Sequence, residues 1–349
     1  MHIGLIIYGS LDTLSGGYLY DRKLVEYLRS QGDTVDVISL PWRSYAAHLG
    51  DNFHFRLPEN LDLLIQDELN HPSLVFANRK KHAYPVVSLV HHLRSSEMRP
   101  GWQNALYRFI EKKYLQSVDG FIFNSKTTRN TVQNLLARGK PSVLAHPPTD
   151  RFGRPLSENE ILERAKSNEL RILFLGNVIY RKGLHTLLEA VKGIGNPVRV
   201  DVVGSLASEP VYAKLIREII EGSHLSDSTF LHGSLDKEPL VEKLRQAHVL
   251  VVPSSYEGFG IAYLEGMCFG LPALGTTAGA AGEVIEHGKT GYLSPPDDSA
   301  ALAIHLRSLA EDRGLLARLS FNARERYLRQ PSWAVSAKGI RDFLFSLVK

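Results

Sequence analysis

Short apolar runs rich in β-branched residues alternate along the chain with segments whose apolar positions recur at helical spacing, and the alternation passes through two successive series. Apolar runs of roughly four to eight residues bounded by turn formers predict strands, and strands taking turns with helices predict parallel sheets joined by crossover helices. The first series predicts strands at 2–9 (HIGLIIYG), 34–40, 61–67, 85–92 (PVVSLVHH), 120–125 and 142–148, with helices between several of them, such as 17–31 and 126–137. A polar, proline-bearing stretch at 146–170 then reads as a linker. The second series predicts strands at 171–178, 199–204, 229–233, 248–255, 272–277 and 291–296, and helices at 183–194, 210–222, 237–247, 301–312 and 314–329. The fold class is therefore α/β: two Rossmann-like, doubly wound domains, 1–155 and 165–330, with a helical segment at 331–349. Two such sheets in tandem are expected to leave a cleft along their carboxyl edges, where ligands bind in these folds.

Composition narrows the class. The length of 349 residues suits two domains, and 44% hydrophobic with 22% charged residues is an ordinary globular composition. Cys268 is the single cysteine, which rules out an internal disulfide and fits a reducing compartment. The opening MHIGLIIYGS has the length of a strand rather than of a leader or a membrane span, so a cytoplasmic location, with the inner face of the cell membrane as a refinement, is the expectation.

Charge is uneven. Residues 71–140 hold twelve Lys/Arg against Glu97, Glu111 and Asp119, a local excess of 12 − 3 = +9 in a chain whose net charge is +4. Such a surface attracts an anionic partner, whether lipid headgroups or a phosphorylated acceptor, or is simply solvated; no nucleic-acid motif accompanies it. Within it, 99–119 reads as an amphipathic helix with Trp102, Leu106, Phe109, Ile110 and Val118 on one side and Arg108, Lys112 and Lys113 beside them. Peripheral contact with an anionic membrane is one reading; packing on its own sheet is the expected one.

The chemistry concentrates in 254–271. From Gly260 to Leu271 the run GIAYLEGMCFGL carries one charged residue, Glu265, on a helix apolar nearly all round and hence buried. A buried carboxylate must take up a proton or find donors. An internal cation or cap would serve; so would a ligand diol such as a ribose, each charge-assisted hydrogen bond contributing about 1.5–3 kcal/mol. Just upstream, PSSYEGFG follows the strand HVLVV and puts Glu257, Gly258, Phe259 and Gly260 on a strand-to-helix turn at the carboxyl edge of the sheet. Glycine there lets the backbone approach a ligand, and the free N–H groups of the helix start favour an anion such as a diphosphate.

EGFGIAYLE, with seven residues between Glu257 and Glu265, resembles the Glu-x7-Glu signature of the group 1 (family 4) retaining glycosyltransferases, which have the GT-B fold of two Rossmann-like domains. LFLGNVIYRKGLHTLLEAV, DVVGS, FLHGSLDKEPLVEKLRQAHVLVVPS and GLPALGTTAGAAGEVIEHGKTGYL match in the same order, while the first half matches more loosely through SGGYLYDRKL, VVSLVHH and DGFIFNSKTTRN. The resemblance implies that Glu265 binds the nucleotide ribose, that Glu257 contacts the donor sugar hydroxyls, and that the amides of Gly258, Phe259, Gly260 and Ile261 line sugar and phosphates. In GNVIYRKG it implies that Lys182 neutralises the leaving diphosphate; Asn177 stands where the family often has Arg, so Arg181 is the substitute. Basic side chains near a helix start suit its dipole poorly, which asks for such a reason.

Gly16 and Gly17, between the first strand and helix, would face the donor phosphates, or form a tight turn. His91 would lie beside the transferred sugar, or serve as a satisfied structural histidine; His92 stands where the family often has Asp. Adjacent strand residues point to opposite faces, so the two are not expected to pair on a metal. Nucleobase contacts would come from backbone around Ser205 and Leu235, and the terminal helix would pack back on the first domain.

No D-x-D segment, G-x-S-x-G elbow, Walker loop or H-E-x-x-H occurs, so neither a metal nor a cofactor is expected. The sequence is thus read as a metal-independent retaining hexosyltransferase that uses a UDP- or GDP-sugar and an acceptor held by the first domain, an anionic or lipid-linked one being compatible with the charge. A nucleotide-sugar epimerase or hydrolase on the same fold and a non-catalytic nucleotide-sugar binder are the alternatives.

Overall fold

The computed structural model describes all residues except 14, 81, 138, 148–150, 196 and 349. Lys81 and Arg138 of the basic stretch, and part of the expected linker, therefore lie outside the described residues. The chain divides into two units, Met1–Pro148 with Pro331–Lys349, and Thr149–Gln330.

In the first unit the order is β1 (His2–Tyr8), α1 (Gly16–Ser30), β2 (Thr34–Leu40), α2 (Tyr45–Asp51), β3 (Leu63–Asp67), α3 (His71–Leu74), β4 (Val86–Val90), α4 (Gly101–Leu115), β5 (Gly120–Phe123), α5 (Lys126–Leu136) and β6 (Ser142–Leu144). The strands form a parallel sheet in the order β2-β1-β3-β4-β5-β6. Successive side chains on a strand point to opposite faces, so β1 sends Ile3, Leu5 and Ile7 into one apolar layer and Ile6 into the other.

The second unit runs α6 (Glu158–Ala165), β7 (Leu170–Leu175), α7 (Leu184–Val191), β8 (Val198–Val203), α8 (Pro210–Gly222), β9 (Thr229–Gly233), α9 (Lys237–Gln246), β10 (Val249–Val251), α10 (Ile261–Cys268), β11 (Ala273–Thr276), β12 (Gly291–Ser294), α11 (Ser299–Glu311) and α12 (Arg313–Leu328). Its parallel sheet has the order β12-β11-β10-β7-β8-β9. From β7 the chain winds outward through β8 and β9, then returns to the other side of β7 and continues through β11 to β12. The loops after β7 and β10 therefore leave toward opposite faces, which opens a crevice at the carboxyl ends of these two strands.

The expected linker is not one. Ser157 and Glu160 form a reciprocal capping box that starts α6, Ile161 is buried in the second core, and the Leu156 N–H donates to the Cys268 carbonyl at 3.1 Å. The division therefore falls near 148 rather than 155.

The last helix, α13 (Trp333–Leu347), closes one apolar layer of the first unit with Trp333, Ala337, Ile340 and Leu344. The Trp333 indole donates to the Lys23 carbonyl at 2.8 Å, and Arg341 meets the buried carboxylate of Asp33 at 2.7 Å.

Helix α4 departs from expectation. Ile110 and Val118 pack on the first unit, as do Tyr114 and Leu115, but Trp102, Leu106 and Phe109 are exposed. The hydrophobic stripe is thus split between two faces of the helix, and its N-terminal half faces away from the sheet.

Ile340 is fully buried, so Ile340→Ala is expected to lower the unfolding free energy of the first unit by about 2–5 kcal/mol, measured by denaturant titration with a probe in that unit.

Candidate active site

The crevice between β7 and β10 is closed at its floor by an ion pair. Gly183, in the loop after β7, has φ 70°, and a Cβ there would lie 2.2 Å from the Pro253 carbonyl oxygen. Only glycine permits that approach and that backbone conformation, so the two loops run against each other. The Ser255 N–H donates to the Arg181 carbonyl at 2.8 Å, and the Arg181 guanidinium donates back to the Tyr256 carbonyl at 2.7 Å. The Lys182 Nζ then reaches both oxygens of Glu257, at 2.9 and 2.8 Å.

Glu257 is held from every side. Ser254 Oγ donates to its Oε2 at 2.9 Å, and the Ala280 N–H donates to its carbonyl at 2.7 Å. Gly279, with φ 76°, lies so close that a Cβ there would come within 2.2 Å of the same carbonyl oxygen. Burial opposes the charge of Glu257, but Lys182 and Arg181 outweigh it and hold the carboxyl below its ordinary value. The Lys182 ammonium moves below its ordinary value as well: burial acts first, and Glu257 only partly offsets it.

The turn then enters α10 through Gly260, whose φ is 97° and whose missing Cβ leaves room for the Tyr263 ring. No side chain among the described residues caps this helix. Gly258, Phe259, Gly260 and Ile261 thus place backbone amides at an apolar helix start, one residue beyond the Lys182–Glu257 pair. Asn177 Oδ1 accepts the Ser205 N–H at 3.3 Å, which ties the ends of β7 and β8, and Leu235 packs on the second core.

Glu265 is buried on α10, as the apolar run demands, and its donor is internal. Arg151 Nη1 lies 2.6 Å from Oε1, and the Arg151 side chain is itself only partly buried. Burial still keeps the Glu265 carboxyl above its ordinary value despite that cation. The burial of this carboxylate is therefore accounted for without any ligand diol, and it no longer argues for one.

In the first unit, Gly16 and Gly17 are not in a loop: they open α1, with the Ser15 hydroxyl as its cap. A Cβ at Gly17 would lie 3.3 Å from the ring of His91, so the glycine brings α1 against that histidine. His91 Nε2 meets Asp21 Oδ1 at 3.0 Å, and its carbonyl accepts from Thr128 Oγ1 at 3.2 Å. Burial opposes the imidazolium, but Asp21, Asp67 and Glu68 override it and raise His91 to about 9. His92, on the opposite face, bonds to Glu97 at 2.8 Å.

Asp21, Asp67 and His91 bring one ligand atom each within 4.8 Å of one another, as do Glu68, His71 and Glu111; among the described residues these groups could gather a cation, and none like them lies in the second unit. His91 already spends its Nε2 on Asp21, and His71 bonds through Nδ1 to the Glu68 carbonyl at 3.0 Å and through Nε2 to the Tyr45 hydroxyl at 2.9 Å. Neither cluster is fully satisfied, however: Asp21 Oδ2 and Glu68 Oε1 are buried without a hydrogen-bond partner.

Residues 158–326 match the family described as glycosyl transferases group 1. That segment, just under half of the chain, belongs to the family. The chain is 33% identical over 228 residues to the D-rhamnosyltransferase WbpZ of Pseudomonas aeruginosa, over 64% of this chain and 58% of that one. To the glycogen synthase of Mycobacterium tuberculosis it is 25% identical over 272 residues, 76% of this chain and 64% of the other. The chain thus spans roughly three fifths of the length of these curated relatives.

Among solved structures, the chain superposes on the sucrose-phosphate synthase of Thermosynechococcus elongatus with a TM-score of 0.82, covering 99% of this chain and 98% of that one at 20% identity. Anabaena HepE in complex with UDP-glucose gives 0.78, 99%, 100% and 18% in the same terms. At such identities the likeness establishes the fold, which is GT-B. The matched segment lies within the unit that holds Lys182, Glu257 and α10.

Of the residues singled out from sequence, Arg181, Lys182, Glu257, Gly258, Phe259, Gly260 and Ile261 come together in the second unit. Gly17 and His91 meet in the first. Sequence reading missed Ser254, Gly279, Arg151 and Asp21. Ser254 and Gly279 lie in stretches quoted for the resemblance, PSS and GTTAGAAGE, but neither carries a charge that draws notice. Arg151 and Asp21 give no local signal, because their partners are 114 and 70 positions away.

Two outcomes follow. Removing one partner of a buried pair strands the other, so Lys182→Met or Glu257→Ala should each cost about 3–5 kcal/mol in denaturant unfolding, with the double variant recovering part of the loss. The folded-state value of His91, about 9, lies above its ordinary 6.5, so the His91–Asp21 contribution is complete below pH 6.5 and fades as pH rises to about 9. The stability gap between the native chain and Asp21→Asn should close over that range, and NMR should show the His91 ring titrating late only in the native chain.

Proposed function

We propose that the chain transfers a hexosyl group from a nucleoside diphosphate sugar to an acceptor hydroxyl, with retention at the anomeric carbon and without a metal ion. The observation that carries this reading is the Lys182–Glu257 pair at the reversal point of the second sheet, next to the start of α10, which no side chain among the described residues caps. A nucleoside diphosphate leaves with growing negative charge, and pre-placed cations and backbone dipoles in a partly dry crevice stabilise it without reorganising during the reaction. Lys182 and Arg181 supply the cations, the amides of Gly258 to Ile261 the dipoles. Glu257 keeps Lys182 extended and charged, and offers its oxygens to the sugar hydroxyls.

In the proposed step the bond from the anomeric carbon to the diphosphate oxygen breaks while the acceptor oxygen bonds to the same face. The acceptor proton passes to a donor phosphate oxygen. Glu265 takes the ribose diol in exchange for Arg151, with Ser205 and Leu235 near the base. By the family resemblance, Gly16 and Gly17 are assigned to the diphosphate and His91 to the transferred sugar, its ring turned by Asp21. Uridine is the first base to try, since the HepE structures hold UDP, UDP with glucose, and UDP-glucose. Guanosine is the second, and an anionic or lipid-linked acceptor suits the basic first unit.

A thermal-shift panel of nucleoside diphosphates and their sugar conjugates should raise the midpoint for one base well above the others. With the matching donor and acceptor, activity should survive a chelator, and the product should keep the donor's anomeric configuration by NMR. Lys182→Gln, confirmed as folded, should lower kcat by about 100-fold or more with a smaller change in donor KM. No stabilisation by any nucleotide, or native turnover in Lys182→Gln, would refute the assignment.

A further inference from the structure

Helix α4 carries a surface that the transferase reading does not use. Trp102 is 70% exposed, Leu106 47% and Phe109 61%, and Met98, just before the helix, 63%. Positions 102, 106 and 109 follow helical spacing, so the three side chains form one stripe, with exposed Ala105 between them. Large apolar side chains singly exposed are ordinary; an unbroken stripe with an indole and a phenyl ring is a contact surface.

The charges around the stripe say what kind of contact. Arg108 and Lys112 are exposed along it, and the Lys113 ammonium lies over the Phe109 ring at 5.5 Å. Glu111, the one acid of α4, is fully buried and turned inward, where it accepts the Ser95 N–H at 3.0 Å and the Ser95 hydroxyl. Glu97, ahead of the helix, is engaged by His92 and Arg99. The outer face of α4 therefore presents aromatic and aliphatic groups with cations only.

Helix α8 of the other unit makes a useful contrast. It exposes Val211 and Leu215, but Glu218 and Glu221 are exposed beside Lys214 and Arg217, so its rim is mixed in sign and it has no ring on that face.

We infer that the outer face of α4 seats the first unit on an anionic lipid bilayer, with Trp102, Leu106 and Phe109 entering the headgroup boundary and Arg108, Lys112 and Lys113 meeting lipid phosphates. A helix with an apolar stripe and a cationic rim lies in the interfacial plane in this way, drawing affinity from buried apolar area and from charge together. Among the described residues no helix is long and apolar enough to cross the membrane, so attachment by this face is peripheral and reversible. The inference stands independently of the proposed donor chemistry.

The test is co-sedimentation of the full chain with vesicles of phosphatidylcholine alone and of phosphatidylcholine with phosphatidylglycerol in equal parts. The chain should bind the anionic vesicles, weakly or not at all the neutral ones, and less as salt rises. Each cation removed should weaken binding about fivefold, so Arg108→Gln with Lys112→Gln and Lys113→Gln should lower it by well over tenfold. Trp102→Ser with Phe109→Ser should lower it by at least about tenfold at unchanged charge. These side chains are solvent-facing, so circular dichroism and donor stabilisation should be unaffected. Failure to bind anionic vesicles, or binding that both variants leave intact, overturns the inference. A dimer in solution that Trp102→Ser with Phe109→Ser dissociates, without lipid binding, overturns it too and gives the face to a second copy of the chain.

Discussion

Everything in the second unit that bears on chemistry depends on one buried ion pair between two loops that leave the sheet in opposite directions. Lys182 follows β7 and Glu257 follows β10, so two residues 75 positions apart in the chain meet at the ends of neighbouring strands. Burying two charges is costly, and a pair of this kind is a weak source of stability compared with apolar packing of the same volume. What it does is fix geometry: it holds a cation extended at the floor of the crevice, beside the start of α10. Gly183 and Gly279 make the contact feasible, because a single Cβ at either position would collide with a carbonyl oxygen of the opposite loop.

Glu265 teaches the opposite lesson. Its burial was a sound deduction from the apolar run, yet the inference from burial to a ligand fails, because a distant arginine answers the same electrostatic need. Arg151 comes from a stretch that composition marks as a linker, and the capping box that begins α6 pins that stretch to the second core. A role for Glu265 toward ribose thus rests on family likeness and on exchange with Arg151, as a role for Glu257 toward the sugar rests on family likeness beside its pairing with Lys182.

Most of the fold was legible because a doubly wound sheet writes its strands as short β-branched runs, and such runs at β1 through β12 fall within a few residues of their positions in the structure. Strand order was not legible: neither the β2-β1-β3 arrangement of the first sheet nor the return from β9 to β10 leaves a local trace. The turn around Glu257 could be read because glycines, a carboxylate and a strand end coincide there. Asp21 could not, since nothing in YDRKL announces that its carboxylate lies against a histidine 70 positions on. Helix α4 was legible only in part for a related reason: periodicity reveals an apolar stripe but not which part of it finds a sheet to cover it, and of that stripe Ile110 and Val118 do while Trp102, Leu106 and Phe109 do not.

The two units divide the physical work differently. The second builds a small, cation-bearing crevice from paired loops; the first surrounds His91 with buried acids and turns rings and cations outward on α4. The central claim is that Lys182, held by Glu257, is a charge set in place for a diphosphate. Calorimetric titration of uridine and guanosine diphosphates into the native chain and into folded Lys182→Gln tests it most directly. One of the two should bind the native chain and lose at least about tenfold in affinity on substitution, as expected when a charge-assisted contact to phosphate is removed. Equal affinity in both proteins would contradict it.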